Sequence, residues 1–261
     1  MVTSAHNDLA PERQERLREF IRQRGVARVD EIISELGVSG ATARRDLDAL
    51  ETSGRIKRVH GGAMSIETRL DEPMFDAKTS INSKEKQRIA KAAARMIQPG
   101  ETIYLDGGST VLELARLLVD REDITVVTNS LRAAIELSGR GPQLVIVGGE
   151  LRRRSQTVVG AFTRLLLEQV HITKAFMGTM GLSLDEGITT SDPSEAYTKE
   201  LVAANADKVI LLADNSKLGK ASFAKAGKLD DVDLIITDSR IESKFERELR
   251  KAHKQLQVMK V

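Results

Sequence analysis

A glycine-rich turn follows one of the apolar segments in the second half of the chain. The segment Ile103–Leu105 has the composition of a buried strand, and Asp106-Gly107-Gly108-Ser109-Thr110 comes directly after it. The following residues, Val111–Val119, have the periodicity of a helix. Glycines let backbone N–H groups approach an anion closely, and the helix contributes the positive end of its dipole. This turn is therefore predicted to hold a phosphate group, with Asp106 accepting a hydrogen bond from a sugar hydroxyl.

Comparable turns follow the other predicted strands. They are Thr128-Asn129-Ser130, Gly148-Gly149, Gly178-Thr179 and Asp214-Asn215-Ser216-Lys217. Ligands of an open α/β sheet bind outside the carboxyl ends of its strands, so we expect these turns to surround one ligand. Asn129 and the hydroxyls beside it would contact phosphate oxygens or sugar hydroxyls, and Lys217 would neutralise a phosphate. One such turn has an ordinary explanation in turn chemistry, but five at corresponding strand ends favour a small phosphorylated polyol.

Several other kinds of site are excluded by what the sequence lacks. It contains no G-x-x-x-x-G-K-[ST] and no G-x-G-x-x-G after a strand, which argues against an ATPase and a nicotinamide enzyme. The absence of cysteine excludes disulfides, thiolate zinc sites and a cysteine nucleophile. The four histidines lie far apart without metal-ligand spacing, so neither a metal nor a cofactor is predicted. The run Arg152-Arg153-Arg154 is interpreted as a solvated loop.

Basic residues in the first sixty positions indicate a second kind of chemistry. A predicted helix capped by Ser39 has the apolar face Ala43, Leu47 and Leu50. Its opposite face carries Thr42, Arg44 and Arg45, the side-chain types that reach phosphates and guanine edges in a DNA major groove. An Arg-Arg pair alone is better explained as a solvated helix face. The basic hairpin Arg55–Ala63, which turns at Gly61-Gly62, makes a winged helix-turn-helix and DNA the better interpretation.

The elements that must position these residues form two regions. Three helices and a hairpin are predicted for residues 1–63, a linker for 64–80, and alternating strands and helices for 81–261. That alternation predicts a parallel α/β sheet, with strands at Ile103–Leu105, Ile124–Val127, Leu144–Val147, Ala175–Met177, Val209–Leu212 and Leu234–Ile236. The 261 residues carry a net charge of +2 and only two Tyr and six Phe, too few aromatics for base-stacking platforms. No signal peptide or apolar membrane span is evident, so a cytoplasmic protein without membrane contact is expected.

The motifs together resemble those of one family. Val38–Leu47, Leu50, Gly54 and Arg58-Val59-His60-Gly61-Gly62-Ala63 strongly resemble the DNA-binding domain of the DeoR family of bacterial transcription regulators. Glu85-Lys86 and the strand-end turns at 106–110, 128–130, 148–149 and 214–217 are similar to that family's sensor domain. The family usually has Ile where Ala43 stands. Because Ala43 belongs to the buried face, we expect a smaller contact between helices and no lost base contact.

The resemblance implies a repressor-type regulator whose C-terminal domain is similar to sugar-phosphate isomerases and binds a phosphorylated sugar effector. Double-stranded operator DNA would contact Thr42, Arg44 and Arg45 in the groove, with Ser39 capping the helix and Arg58 and His60 on phosphates. Effector contacts would come from Asp106, Gly107, Gly108, Ser109, Thr110, Thr128, Asn129, Ser130, Gly148, Gly149 and Lys217. A homodimer or homotetramer is also implied, because winged-helix dimers read repeated half-sites.

An enzyme remains the alternative from another class. A sugar-phosphate isomerase with a fused helical domain would use the same pocket, with Asp106, Glu150 or Asp214 as the base beside Lys217. A carboxylate near a phosphate site is not sufficient for that reaction, since proton transfer needs a base within reach of the substrate C–H. No catalytic residue is therefore assigned. The identity of the sugar phosphate, and whether it releases or promotes DNA binding, are left open by the sequence.

Overall fold

The computed structural model describes residues 10–24, 26–59, 61–65, 72–252 and 254–260. The chain divides into two compact units, Met1–Asp71 and Glu72–Val261. Within the described ranges, no helix is both long and apolar enough to cross a membrane.

The first unit contains three helices and a small antiparallel sheet. The elements are α1 (Ala10–Arg24), β1 (Val26–Arg28), α2 (Val29–Leu36), α3 (Gly40–Thr52), β2 (Ile56–Val59) and β3 (Gly62–Ser65). The three helices and the hairpin were predicted. Strand β1, which pairs with β3 and gives the sheet order β1-β3-β2, was not, because three residues are too few for a periodic pattern.

The core of this unit lies among its helices and its sheet. Ala43, Leu47 and Leu50 of α3 are buried together with Leu17 and Ile21 of α1, which confirms the predicted apolar face of α3. Helix α2 ends at Gly37, whose φ of 64° is in the left-handed region that glycine adopts without a steric cost. The turn between α2 and α3 is thereby short, because only two residues separate that glycine from the start of α3 at Gly40.

The second unit is built on a seven-stranded, entirely parallel sheet. Its helices are α4 (Phe75–Ser80), α5 (Ser83–Ala94), α6 (Ser109–Arg116), α7 (Leu131–Leu137), α8 (Thr163–Leu167), α9 (Pro193–Ala204) and α10 (Ser243–Lys251). The sheet strands are β4 (Thr102–Leu105), β5 (Thr125–Thr128), β6 (Gln143–Ile146), β9 (Lys174–Met177), β12 (Val209–Leu212), β14 (Leu234–Asp238) and β15 (Gln255–Met259). Two smaller antiparallel sheets use β7 (Glu150–Arg152), β8 (Thr157–Val159), β10 (Gly181–Ser183), β11 (Gly187–Thr190) and β13 (Ala224–Gly227).

The order of the large sheet is β15-β14-β12-β9-β4-β5-β6. The six predicted strands are all present, and β15 at the edge is an addition. The chain proceeds from β4 to β5 and β6 in one direction, and from β9 to β12, β14 and β15 in the other. The neighbours β4 and β9 therefore form the topological switch point, where the crevice of an open α/β sheet lies.

Both faces of the sheet are covered, as its continuous apolar strands require. Ile103 and Leu105 of β4 pack with helices α5 and α6 on one face, whereas Tyr104 faces a second core that includes residues of α9 and α10. Alternate residues of one strand thus belong to two different cores, as the period of a strand dictates.

The predicted linker over residues 64–80 is too long at its C-terminal end. Residues 72–80 belong to the second unit and include α4. Phe75 is fully buried in the same core as Ile89 and Ala93, so this segment is part of the folded unit. The sequence pattern did not predict α4, because a helix of only six residues with a single buried aromatic has no recognisable periodicity.

Candidate functional site

Helix α3 presents two unpaired cations to solvent. Arg44 and Arg45 are exposed, and neither makes an ion pair or hydrogen bond with another described residue. Ser39 caps the helix, with its Oγ accepting from the Thr42 backbone N–H at 3.2 Å, as the sequence predicted. The Ser39 and Thr42 hydroxyls are also 2.9 Å apart. The geometry leaves both guanidinium groups available to an anionic partner while the first turn of the helix is fixed.

The hairpin that follows α3 is tied to that helix. The Arg58 guanidinium lies 3.4 Å from the Asp48 carboxylate, and the Arg58 backbone N–H donates to the Glu51 Oε1 at 2.9 Å. Arg58 is therefore already partly neutralised by α3, which the sequence did not indicate. His60, the other predicted phosphate contact of the hairpin, lies outside the described residues.

A buried carboxylate holds α3 against α1. Asp46 is 2 % exposed and accepts hydrogen bonds from the Arg13 Nε at 2.6 Å and from the Gln14 side chain at 3.1 Å. A second bond joins the Arg13 Nη2 to the other Asp46 oxygen at 3.1 Å. This two-pronged pair fixes the orientation of α3. Asp46 follows Arg45 directly, so two adjacent charges serve different purposes, one facing solvent and one facing α1.

In the second unit, a cavity of about 90 Å³, partly open to solvent, lies at the carboxyl ends of four adjacent strands. These strands are β5, β4, β9 and β12, so the cavity spans the topological switch point. Seven of the predicted effector residues line it: Asp106, Gly107, Gly108, Ser109, Thr110, Asn129 and Lys217. The predicted turns therefore meet at one cavity at this edge of the sheet, and their contact with an effector stays a prediction.

Four predicted effector residues do not line the cavity. Thr128 is buried, its Oγ1 donating to the Leu105 carbonyl at 2.7 Å, and Ser130 caps α7 by accepting from the Ala133 N–H at 3.2 Å. Gly148 and Gly149 follow the edge strand β6, one strand beyond those that border the cavity. A Cβ on Gly149 would lie 2.7 Å from the Val159 carbonyl oxygen, so close packing against β8 explains that glycine. None of these four residues lines the cavity, so their predicted contact with an effector has no support from its lining.

The turn after β4 brings the start of α6 to the cavity wall. A Cβ on Gly107 would lie 1.9 Å from the Thr157 Cγ2, and Gly108 has a φ of 138°, so both positions require glycine. Gly108 is the N-cap of α6, and no side chain caps the helix. The first N–H groups of α6, which have no partner within a helix, are thus free of side-chain acceptors beside the cavity.

A buried ion pair crosses the switch point. Lys199 of α9 donates to the Asp106 carboxylate and, at 2.9 Å, to the Gly178 carbonyl, while the Gly178 N–H donates to Asp106 at 3.0 Å. Burial raises the pKa of Asp106, and the nearby Lys199 ammonium acts in the opposite direction. The carboxylate predicted to contact a sugar is therefore engaged by the protein through one of its oxygens, Oδ2.

A second charge cluster contributes Glu72, Lys78 and Glu195 to the cavity lining. Glu72 pairs with Lys78 and with Arg152 at 2.6 Å, and its Oε2 accepts from the Ser191 hydroxyl at 2.6 Å. Burial alone would raise the pKa of Glu72, but hydrogen bonds from Arg152, Lys78 and Ser191 outweigh it and lower the pKa to about 2. Arg152 also binds Glu195 at 3.0 Å. The prediction that Arg152 belongs to a solvated loop is wrong, because β7 directs it toward these carboxylates.

The cavity is also lined by two lysines, Lys86 and Lys217. Lys86 donates to the carbonyls of Lys78 and Ile81, both at 2.5 Å, whereas the Lys217 ammonium has no hydrogen bond or ion pair with any described residue. Burial lowers the pKa of both lysines, and the neighbouring Asp214 counteracts that effect. Two desolvated cations in one cavity, which the first residues of α6 also line, are the arrangement that an anion stabilises.

Several cavity residues were missed by sequence reasoning. They are Glu72, Lys78, Ser155, Thr157, Thr190, Glu195 and Lys199. Glu72 and Lys78 fall in the segment predicted as a linker, and Glu195 and Lys199 lie on one face of α9. Asp192-Pro193 gave a signal for the start of α9, but no pattern marked which face would meet the cavity. Among the described residues, no cluster of His, Asp and Glu could hold a metal ion.

Comparison with known proteins gives matches over both units. The family model described as the DeoR-like helix-turn-helix domain matches residues 13–69, and that of the DeoR C terminal sensor domain matches residues 81–239. Among solved structures, a ribose 5-phosphate isomerase A from Methanocaldococcus jannaschii aligns with a TM-score of 0.40 at 21% identity, covering 52% of this chain and 55% of that one.

Curated relatives match along nearly the full length. The HTH-type transcriptional regulator GlpR of Haloferax volcanii is 36% identical over 94% of this chain and 96% of its own. The lactose phosphotransferase system repressor of Streptococcus mutans is 35% identical over 90% of this chain and 95% of its own. The chain therefore belongs to the DeoR family of transcriptional regulators, with a DNA-binding helix-turn-helix domain followed by a sensor domain.

Proposed function

We propose that this protein is a repressor of carbohydrate-metabolism genes whose affinity for operator DNA is controlled by a phosphorylated sugar bound in the cavity. DNA binding is assigned to residues 1–63, and effector binding to the unit that begins at Glu72. The observation that carries the proposal is the presence, in one chain, of two exposed arginines on a capped α3, without a partner among the described residues, and of an anion-suited cavity at a sheet switch point.

The DNA-binding half of the proposal rests on α3. Arg44 and Arg45 are exposed and unpaired among the described residues, and the Arg13–Asp46 pair holds the helix in place. A pre-positioned helix with free guanidinium groups is the usual reader of a major groove. Two half-sites are read by two such helices, so the proposal includes a homodimer or homotetramer. The mass in analytical ultracentrifugation tests that part directly.

The effector half rests on the distribution of charge in the cavity. Lys217 is half-buried and lacks a described partner, and its depressed pKa means that an anion beside it would be stabilising. The uncapped start of α6 also lines the cavity and supplies backbone donors there. A phosphate bound by these groups would leave the hydroxyl and carboxylate groups of the cavity to contact a polyol. The name of the streptococcal relative supports carbohydrate genes as the target class.

The isomerase alternative has less support from the same geometry. Asp106 is paired with Lys199, and Asp214 accepts from Asn82 at 2.9 Å and from the Ser216 hydroxyl at 2.5 Å. Glu150 is exposed on β7 and does not line the cavity. Each candidate base is therefore engaged by the protein or lies elsewhere, and we propose a role in binding rather than catalysis.

Fluorescence anisotropy tests the proposal as a whole. The protein is titrated onto a labelled duplex from upstream of its own gene and onto a scrambled duplex, with and without a pool of sugar phosphates. We expect salt-sensitive, sequence-selective binding that the phosphorylated pool changes and the same sugars without phosphate do not. Equal affinity for both duplexes in every condition would contradict the proposal, and turnover of a sugar phosphate would favour the isomerase.

A matched pair of variants distinguishes a specific role of Lys217 in effector binding from the general effect of losing one positive charge. Lys217→Met removes the unpaired ammonium, whereas Lys220→Met removes an exposed lysine three residues later that does not line the cavity. We expect Lys217→Met to retain DNA binding and lose the response to the pool, and Lys220→Met to retain both. An unchanged response in Lys217→Met would remove that residue from the effector site.

A further inference from the structure

Asn129 has a buried acceptor atom that no described group satisfies. The residue is 3 % exposed and lines the cavity. Its Nδ2 donates to the Val158 carbonyl at 3.2 Å, and its backbone carbonyl accepts from the Val158 N–H at 2.7 Å. The Oδ1 is buried and receives no hydrogen bond from any residue that the structure describes. A buried polar atom of this kind is costly unless a partner supplies a proton donor.

The orientation of this amide is fixed by its partner. A carbonyl oxygen only accepts hydrogen bonds, so the Asn129 amide must direct its N–H₂ group toward Val158 and its oxygen away. The two bonds to Val158 also restrain the side chain, which holds Oδ1 in place. Position 129 therefore presents an acceptor, not a donor.

The neighbouring residues of the same motif have no free polar atoms of this kind. The Thr128 hydroxyl donates to the Leu105 carbonyl and accepts from the Ser130 N–H at 3.0 Å, and the Ser130 hydroxyl caps α7. Of the three polar side chains in the Thr128-Asn129-Ser130 turn, only Asn129 lines the cavity.

The sequence allowed Asn129 to contact either a phosphate oxygen or a sugar hydroxyl. An acceptor at this position excludes the phosphate oxygen. The oxygens of an ionised phosphate are acceptors as well, and two acceptors do not form a hydrogen bond. We infer that Asn129 is a specificity-determining residue, whose Oδ1 accepts a hydrogen bond from a hydroxyl of the effector and so selects polyol phosphates over other organic phosphates. The inference rests on the proposed function and adds the orientation of the ligand, with its hydroxyl-bearing part against the end of β5 and its phosphate elsewhere in the cavity.

Calorimetric titration with matched ligands tests the inference. Glycerol 3-phosphate, ribitol 5-phosphate and sorbitol 6-phosphate are each compared with the n-alkyl phosphate of the same carbon number, and sulfate serves as an anion without any hydrogen-bond donor. For the wild-type chain, we expect at least one polyol phosphate to bind at least about tenfold more tightly than the alkyl phosphate of the same length. One hydrogen bond to a buried acceptor accounts for an affinity ratio of this size.

The variant Asn129→Leu removes the acceptor with little change in size. We expect it to lower the affinity for that polyol phosphate about tenfold, toward that of the alkyl phosphate, while sulfate binding is unchanged. Asn129→Asp keeps an acceptor at the same place, so it should keep the preference even though its charge weakens the binding of every anion. Thr128→Val is the control, since it removes a buried hydroxyl that does not line the cavity, and we expect the preference to remain. Thermal unfolding checks that each variant is folded.

The outcomes separate the inference from the proposed function. A wild-type chain that binds neither sulfate nor any phosphate contradicts the proposed effector site itself. Binding of sulfate without any preference for a polyol phosphate overturns the inference about Asn129. The inference also fails if Asn129→Leu keeps the full preference, or if it weakens sulfate and polyol phosphate equally. If Asn129→Leu does not fold, loss of the preference in Asn129→Asp overturns the inference.

Discussion

Helix α3 and the cavity use positive charge in opposite ways. Arg44 and Arg45 are exposed and have no described partner, whereas Lys199, Lys78 and Arg152 are buried or nearly so and paired with carboxylates. Exposed arginines retain their hydration, so they add little to the stability of their unit and remain available to a polyanion. Buried cations are tolerated only because their partners are fixed in place.

The difference shows which charges are able to change function without changing the fold. A substitution on the exposed face of α3 should affect DNA affinity alone, while a substitution in either buried cluster should first affect stability. Lys217 lies between these extremes, because it is half-buried and has no described partner.

The largest effect is expected at the pair between Asp106 and Lys199. Asp106→Asn leaves the Lys199 ammonium buried without a counter-charge, and breaking such a pair costs about 3–5 kcal/mol of unfolding free energy. Adding Lys199→Met removes the stranded charge, so the double variant should regain at least half of that loss. Urea denaturation monitors both variants. Equal stability of the wild type and Asp106→Asn would mean that the Asp106 carboxylate contributes as little to the free energy of unfolding as the exposed arginines of α3.

A smaller effect is expected at Glu72, and it should depend on pH. The pKa of Glu72 is lowered to about 2, so its pairing stabilises the native state fully above the ordinary pKa of 4.5, and this contribution disappears as the pH falls from about 4.5 to about 2. Glu72→Gln should cost about 2–3 kcal/mol at pH 7 and much less near pH 2. Thermal unfolding across this range provides the measurement. Glu186→Gln, at an exposed ion pair with Lys225, is the control and should change little at any pH.

On α3 the expected effect is on binding alone. Arg44→Ala or Arg45→Ala should weaken operator binding by about 1–3 kcal/mol if the arginine contacts a base, with no change in melting temperature. A loss that is equal for operator and scrambled DNA would place the arginine on the phosphate backbone instead. If either variant melts at a markedly lower temperature, the exposed arginines of α3 also stabilise the fold, and the contrast with the buried charges of the cavity is wrong.

The smallest effect near neutral pH is expected at Lys217. Because burial lowers its pKa from 10.5, the ammonium loses its proton at a lower pH than an exposed lysine. A bound anion favours the protonated form, so sulfate affinity should fall as the pH rises, by up to about tenfold per pH unit above the pKa of the lysine. Lys217→Met should bind sulfate more weakly and with a shallower pH dependence, whereas Lys220→Met should follow the wild type. Identical pH profiles for Lys217→Met and the wild type would exclude this lysine from the anion site.

Much of the fold followed from local sequence. Short apolar runs with turn residues after them predicted six of the strands, and Ser39 with Ala43, Leu47 and Leu50 predicted α3 with its cap and buried face. The glycine-rich turn at 106–110 was recognisable because close approach and a positive φ both demand glycine. Phe75 illustrates the limit, since one buried residue in a short helix leaves no periodic signal.

The candidate site was predictable only as an edge of the sheet. Turn composition identified where strands end, so the loops around Asp106, Asn129 and Lys217 were found. It could not give the order of the strands in the sheet. The order in the folded sheet places the end of β6 one strand beyond those that border the cavity, which removed Gly148 and Gly149 from the site. Lys199 was missed because its partner Asp106 is distant in sequence, and Glu72 was missed because it falls in the segment predicted as a linker.

The sequence by itself determined which segments become helices, strands and turns, and which side chains carry charge, because those properties depend on neighbours along the chain. Only the tertiary structure decided which polar atoms are already satisfied. It joined Lys199 to Asp106 across 93 positions and left the Oδ1 of Asn129 without a described partner between two neighbours whose hydroxyls are engaged. Hydrogen bonds and ion pairs act over a few ångströms in space, and that proximity exists only after the chain has folded.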